Sequence, residues 1–199
     1  LSIFSRKPEK GSDVDDVIFS GLRENIESGK LVASLVETPA QGLAEGLFSL
    51  ASALPRDRAT NMILLYTRLA CMFKPNFPLA EILIGDILMS RQRFKDAVES
   101  YSKVASVSGY SWTAQLRTAD ALYEDGRLDE AQVLLEKMGN LRPRRLDALL
   151  RLGNFFRFKE RYLEAVEVYD RMFARLETPK KEDWNLFYAR GIALERSKN

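Results

Sequence analysis

The 199-residue sequence contains no histidine and one cysteine, Cys71. The first absence removes Ser-His-Asp and Cys-His nucleophile pairs, histidine general bases and histidine zinc sites. The second removes an intrachain disulfide framework and any cluster of thiolate metal ligands. A single thiol fits a reducing compartment, but an exported chain without disulfides would look the same. No apolar run approaches the ~20 residues of a membrane-spanning helix, and residues 1–12 are too polar and mixed for a secretory signal. The 11 glycines are dispersed rather than gathered into a phosphate-binding loop. Neither sign of charge dominates: 30 basic and 28 acidic residues leave a formal charge of +2. That balance gives no electrostatic reason to expect nucleic acid or an anionic membrane as the main partner. The short basic run Arg142-Pro143-Arg144-Arg145 reads as a solvated helix start. No cofactor and no metal is expected.

What the chain does have is a period of 34 residues. Arg93-Phe94-Lys95-Asp96-Ala97-Val98 returns as Arg127-Leu128-Asp129-Glu130-Ala131-Gln132 and as Arg161-Tyr162-Leu163-Glu164-Ala165-Val166. Small residues recur at Ala51, Gly85, Ala119 and Gly153, and large ones at Leu54, Leu88, Leu122 and Phe156. Tyr101, Leu135 and Tyr169 form a third series, and Pro75 and Pro143 are two periods apart with Gly109 midway. Units follow at 44–77, 78–111, 112–145 and 146–179. A partial fifth covers 184–199, where Gly191 takes the part of Gly153 after a four-residue insertion around Pro179-Lys180.

Each unit reads as two helices. In the third, Ser111 can cap a helix running to Glu124, Gly126 is placed to end it in a left-handed conformation, and a second helix runs from about Leu128 to Met138. Small residues on both helices let two backbones approach closely, and the large series fill the space between pairs. Ahead of the units, residues 1–12 read as a tail. Asp13–Glu27 reads as a helix with an apolar stripe of Val14, Ile18, Leu22 and Ile26. Within this 13–43 segment, Thr38-Pro39-Ala40-Gln41 fits a capping box that opens another helix.

Period, small–large pattern and the Pro or Gly at unit ends together resemble the tetratricopeptide-repeat (TPR) family. The resemblance covers about 44–199, with the first unit degenerate because Ile63 stands where Ala97 would fall. It implies an all-α fold, a right-handed superhelix of antiparallel helix pairs. The phrases Gly46–Leu54 and Trp184–Ile192 also resemble long bacterial TPR arrays, which leaves the compartment open between cytoplasm and periplasm. Leu at position 1 and the stop inside a unit suggest a piece of a longer, conceivably exported chain. The last helix should expose Phe187, Ile192 or Leu194 and promote weak self-association.

The recurring acids Asp96, Glu130 and Glu164 occupy one repeat position, which marks them as scaffold rather than as a converging acid–base pair. Catalysis is not expected. The resemblance implies instead that the first helix of each unit lines a concave groove that holds a protein or peptide partner. The candidate contact residues are Asp86, Met89, Arg117, Asp120, Tyr123, Arg151, Asn154 and Arg157, with Leu116 and Leu150 beside them. Arg117 and Arg151 are one period apart and suit the carboxylates of an extended acidic segment. Asn154 would hold its backbone, and Met89 and Tyr123 would offer apolar contact. Some TPR domains clamp a C-terminal carboxylate with Lys, Asn and Arg. Here Ile82, Asp86, Leu116, Asp120 and Leu150 depart from that pattern and leave Asn154 with Arg151 as its clamp-like remnant. The alternative is a structural spacer or oligomerisation segment with an empty groove, in which these charges form salt bridges along the groove and bind nothing. Tyr101, Phe94, Phe155, Phe156, Phe158 and Trp184 read as core by their helical spacing, and Trp112 as a residue packed between units.

Overall fold

The computed structural model describes residues 36–106, 108–176 and 181–198. The expected tail at 1–12 and helix at 13–27 lie outside them. The described helices are α1 (Pro39–Ala53), α2 (Thr60–Phe73), α3 (Pro78–Ser90), α4 (Phe94–Ser102), α5 (Ser111–Glu124), α6 (Leu128–Leu141), α7 (Asp147–Phe158), α8 (Tyr162–Phe173) and α9 (Trp184–Arg196). A 3-10 turn at Lys181–Asp183 precedes α9, and no strand occurs among the described residues. The chain divides into two compact units. Among the described residues, one holds those from Val36 to Leu83 with those between Val104 and Trp112; the other holds Ile84–Lys103 and the described residues from Thr113 onward.

In the first unit, α1 opens as the sequence predicts. Thr38 is the N-cap, its Oγ1 accepts from the N–H of Gln41 at 3.2 Å, and Pro39 fills the first turn, where its missing N–H costs nothing. Gln41 Oε1 accepts from the N–H of Glu37 at 2.7 Å, one residue ahead of the usual capping-box donor. The helix therefore starts five residues before the boundary drawn at 44. α1 packs on α2, and Ala44, Ala70, Phe77 and Ala80 form a buried cluster flanked by Leu47, Phe48 and Cys71. Phe48 meets Phe77 with centroids 5.0 Å apart, and Lys74, paired to Glu45 at 2.6 Å, stands over the same ring. Ile63 is fully buried in the position that is Ala in later units. Trp112 is buried.

The second unit repeats one helix-pair design. Each turn between paired helices is a Schellman motif. The N–H groups of Arg93, Arg127 and Arg161 donate to the carbonyls of Leu88, Leu122 and Phe156 at 2.9, 2.8 and 2.9 Å. Those of Gln92, Gly126 and Glu160 donate to Met89, Tyr123 and Arg157. Gln92, Gly126 and Glu160 themselves have φ of 59°, 79° and 60°. Glycine occupies this left-handed position in one turn of three. The arginine that follows caps the next helix and pairs with the acid three residues on: Arg93 with Asp96 and Arg127 with Glu130, both at 2.6 Å, and Arg161 with Glu164. The recurring basic–apolar–any–acid–Ala phrase is thus a helix start, and its alanines, Ala97, Ala131 and Ala165, are wholly buried.

Small residues on the first helices sit under large ones on the second. A Cβ on Gly85 would stand 2.6 Å from Cδ1 and Cζ of Tyr101; one on Gly153 would stand 2.8 and 2.9 Å from the same atoms of Tyr169. The third pair in this series is Ala119 with Leu135, a bulkier residue matched to a slimmer one, and both are fully buried. α6 extends to Leu141, three residues beyond the predicted end at Met138, and Pro143 follows its cap, Arg142. α7 packs on α6 and α8, and α9 on α8. Arg171 of α8 forks onto Glu136 of α6, and Arg175 donates to the carbonyl of Gly139 at 2.7 Å. Phe155, Phe156 and Tyr101 are core, as predicted, and Phe94 is half-buried. Phe158 and Trp184 are not: they are 60% and 66% exposed. Phe158 lies two residues from Phe156, about 200° around a helix, so a helix that buries one presents the other to solvent.

Candidate functional site

The eight candidate side chains come from the first helices of the second unit: Asp86 and Met89 from α3, Arg117, Asp120 and Tyr123 from α5, and Arg151, Asn154 and Arg157 from α7. Every one is half-buried, while Leu116 beside them is buried. Positions 86, 120 and 154 and positions 89, 123 and 157 are one period apart, so the same two turns of three helices carry the set.

The charges on this face are largely spent on one another. Arg117 reaches back from α5 and pairs with Asp86 of α3. Arg151 repeats this from α7, meeting Asp120 of α5 at 2.5 Å and donating to the carbonyl of Leu116 at 3.0 Å. Asp86 also accepts from the Tyr101 hydroxyl at 2.8 Å, and Asn154 accepts from Tyr169 in the same way at 2.8 Å. Burial and the neighbouring Asp86 charge push the Tyr101 hydroxyl well above its ordinary pKa, so it stays a donor. Burial raises Tyr169 likewise, against the opposing pull of Arg157. Asp120 is raised by burial, with Arg151 and Arg117 pulling the other way.

Arg117 and Arg151 thus each have a carboxylate partner within the fold. The pairing follows a rule written into the repeat. An acid stands at this first-helix position where the next unit supplies an arginine 31 residues on: Asp86 with Arg117, Asp120 with Arg151. Allowing for the four-residue insertion, the partner position for Asn154 is Ala189, and there the acid is an amide. The corresponding pair in the first unit, Ser52 and Leu83, carries neither charge.

Near the C-terminal end of α7 the arrangement changes. Tyr123 stacks on Phe155 with centroids 4.3 Å apart and rings inclined by 13°. Lys159 lies over the Tyr123 ring at 5.2 Å, and the Arg157 guanidinium over Phe158 at 4.4 Å. Lys159 and Phe158 were not among the predicted contact residues. Lys159 closes α7 as its C-cap, a position where the helix dipole favours a cation, and that is the signal by which it could have been found. Among the described residues no group of three His, Cys, Asp or Glu side chains is placed to hold a metal ion, and no helix is long and apolar enough to cross a membrane.

The paired helices have the all-α TPR fold. Residues 82–138 match the family model described as tetratricopeptide repeat. The fold is similar to a crystal structure of MamA, with 16% identity over 78% of this chain and 83% of that one and a TM-score of 0.61. It is also similar to MamA from Desulfovibrio magneticus RS-1, with 16% identity, coverage of 82% and 94%, and a TM-score of 0.57. YrrB, titled a TPR protein with an unusual peptide-binding site, aligns at 14% identity over 92% of this chain and 84% of its own, with a TM-score of 0.54. No curated protein matches the chain at the sequence level.

Proposed function

We propose that the chain is a non-catalytic protein-interaction scaffold that holds a peptide segment of a partner on the first-helix face formed by α3, α5 and α7. The observation that carries this reading is the state of its side chains. Carboxylate, guanidinium, amide, thioether and phenol groups alternate across three equivalent helices, all half-buried and therefore both accessible and positioned. A surface fixed in this way loses little conformational freedom when a ligand lands on it. The peptide-binding site named for YrrB, on a similar fold, supports the same reading. In it, Met89 and Tyr123 supply apolar contact, and Asn154, Arg151 and Arg157 supply donors to a backbone or carboxylate.

Selection of binders from a random displayed peptide library tests the reading. Selected peptides should lose about tenfold or more in affinity when Met89 and Tyr123 are both replaced by alanine, a change equivalent to roughly 1.4 kcal/mol. Val133→Ala, on the exposed side of α6, should leave them unaffected. Peptides that respond to Val133 and not to the face would sink it.

A second reading, a spacer or self-association segment, is favoured by one observation. Trp184, Phe187 and Tyr188 on α9 are 66%, 47% and 63% exposed, an aromatic cluster of the kind that marks contact surfaces. Sedimentation at rising concentration tests it: weak dimerisation removed by Trp184→Ser with Tyr188→Ser supports a role for this face, and a concentration-independent monomer excludes it.

A further inference from the structure

Arg157 and Lys159 differ from the other cations of the first-helix face. Arg117 and Arg151 each hold an intrachain carboxylate. Among the described residues Arg157 and Lys159 are placed instead over aromatic rings, Phe158 and Tyr123. Among the charges at this face, Asp86 and Asp120 offset Arg117 and Arg151, Glu124 beside Tyr123 stands against Arg157 and Lys159, and one positive charge is left over. Beside them, Asn154 uses its Oδ1 to accept from Tyr169, which orients its amide N–H groups as donors. Arg157 flanks the same Tyr169 hydroxyl. The amide oxygen and the guanidinium, one helical turn apart on α7, therefore both lie at the Tyr169 hydroxyl. Phe158, 60% exposed, follows Arg157 in the chain, and the Tyr123–Phe155 stack joins α5 to α7.

We propose that this end of the face is a cation–aromatic site for an acidic partner segment that carries an aromatic residue among its carboxylates. The proposal rests on the reading that the first-helix face binds peptide, and it names the ligand class and the residues that select it. Charge complementarity decides the occupant. A carboxylate arriving at Arg117 or Arg151 must displace Asp86 or Asp120, whereas among the described residues no carboxylate is paired with Arg157 or Lys159. Guanidinium–carboxylate bonds are among the stronger hydrogen bonds available. A partner ring can lie against Phe158 in the edge or offset geometry that aromatic pairs prefer. Asn154 can hold the intervening backbone, since its amide donates as a peptide group does. Glu124, beside Tyr123, opposes an acidic ligand; it is exposed and screened by solvent.

The test measures fluorescence anisotropy of the full chain with a labelled peptide of glutamates around a central phenylalanine. Its glutamine counterpart is the control. The glutamate peptide should bind about tenfold more tightly than the glutamine peptide, and the difference should shrink as salt is raised. Arg157→Gln and Lys159→Gln should each remove most of it. Glu124→Gln should tighten binding, and Lys137→Gln, on an exposed turn of α6, should not alter it. Lys159 is solvent-exposed, so Lys159→Gln decides the matter even where Arg157→Gln disturbs Tyr169. Equal binding of the two peptides, no binding of the glutamate peptide, or indifference to both substitutions overturns the proposal. If library-selected peptides still depend on Met89 and Tyr123, the face remains a binding surface and the acidic ligand class alone is wrong. If they do not, both fall.

Discussion

Tyr101 lies across the backbone of Gly85, and the ring occupies the space where a Cβ would be: such an atom would stand 2.6 Å from Cδ1 and Cζ. Tyr101 is 3% exposed and its hydroxyl is tied to Asp86, so the ring has nowhere to go. Gly85→Ala should therefore destabilise the protein by about 1–3 kcal/mol, the usual cost of overpacking, despite the better helix propensity of alanine. Adding Tyr101→Leu reproduces the Ala119 with Leu135 combination of the next unit and should restore most of the loss. Gly191→Ala, with nothing within 4 Å of its Cβ position, should instead gain about 0.5–1 kcal/mol. Chemical denaturation of the variants checks all three.

The turns make a second prediction. Gln92 and Glu160 hold the left-handed conformation that Gly126 holds in the middle turn, and that region costs a residue with a Cβ roughly 1–2 kcal/mol. Gln92→Gly and Glu160→Gly should each stabilise the protein, by about 0.5–1 kcal/mol once the added freedom of the unfolded chain is subtracted. Gly126→Ala should cost about 1 kcal/mol by the same reasoning. Thermal melts that ranked the three in the opposite order would show that these turns are not limited by their backbone.

This turn also shows how far the sequence could be read. Gly126 announces its conformation; Gln92 and Glu160 adopt it because the Schellman bonds and the packing of both helices require it, which no local residue signals. The helix pairs themselves were legible, since a strict 34-residue recurrence of Ala97, Ala131 and Ala165 can only be a repeated core position. Helix ends drifted by a few residues, as at Leu141. The candidate face was legible as a set of equivalent positions, and all eight residues are half-buried. That these charges can pair along the groove was legible too, but which arginine meets which acid was not, because it depends on the distance between helices of successive units. Phe158 was misjudged as core because aromatic spacing was weighed without the 200° rotation that separates it from Phe156.

Acid should act on two carboxylates in opposite directions. Burial raises the Asp120 pKa above its unfolded value, so ionisation of Asp120 opposes folding at neutral pH. Its contribution improves as pH falls through the raised folded pKa and is complete below the unfolded value of about 3.9. The Arg171 fork lowers the Glu136 pKa, so Glu136 stabilises the fold above its unfolded value of about 4.3 and loses that effect as pH drops through its folded pKa. Asp120→Asn should thus be at least as stable as the parent at pH near 7 and lose its advantage in acid. Glu136→Gln should be weaker near neutrality and equal to the parent in acid. Both groups are partly exposed, so each effect should stay below about 1 kcal/mol. Urea titrations across the acid range would expose parallel behaviour of the two variants, which would refute the assignment.

The Asp86–Arg117 pair yields the most discriminating stability test. The Asp86 side chain is 15% exposed and the Arg117 side chain 40%, so the acid is the member that cannot fall back on water. Arg117→Ala leaves Asp86 with the Tyr101 hydroxyl alone and should cost about 1–3 kcal/mol, the penalty for a mostly buried group that loses its charged partner. Asp86→Asn should cost less, because the amide oxygen can still accept from Tyr101, as Asn154 accepts from Tyr169. Combining the two copies the Asn154 and Ala189 arrangement found one period further on. The double variant should therefore recover most of what Arg117→Ala loses, giving a coupling energy of about 1 kcal/mol or more in a double-mutant cycle. Strict additivity would mean that the pair is an incidental surface contact. A recovered double variant has a further use. It lacks the Arg117–Asp86 charge pair but keeps the fold, so any peptide affinity it loses belongs to those two side chains at the binding face and not to an unravelled helix pair.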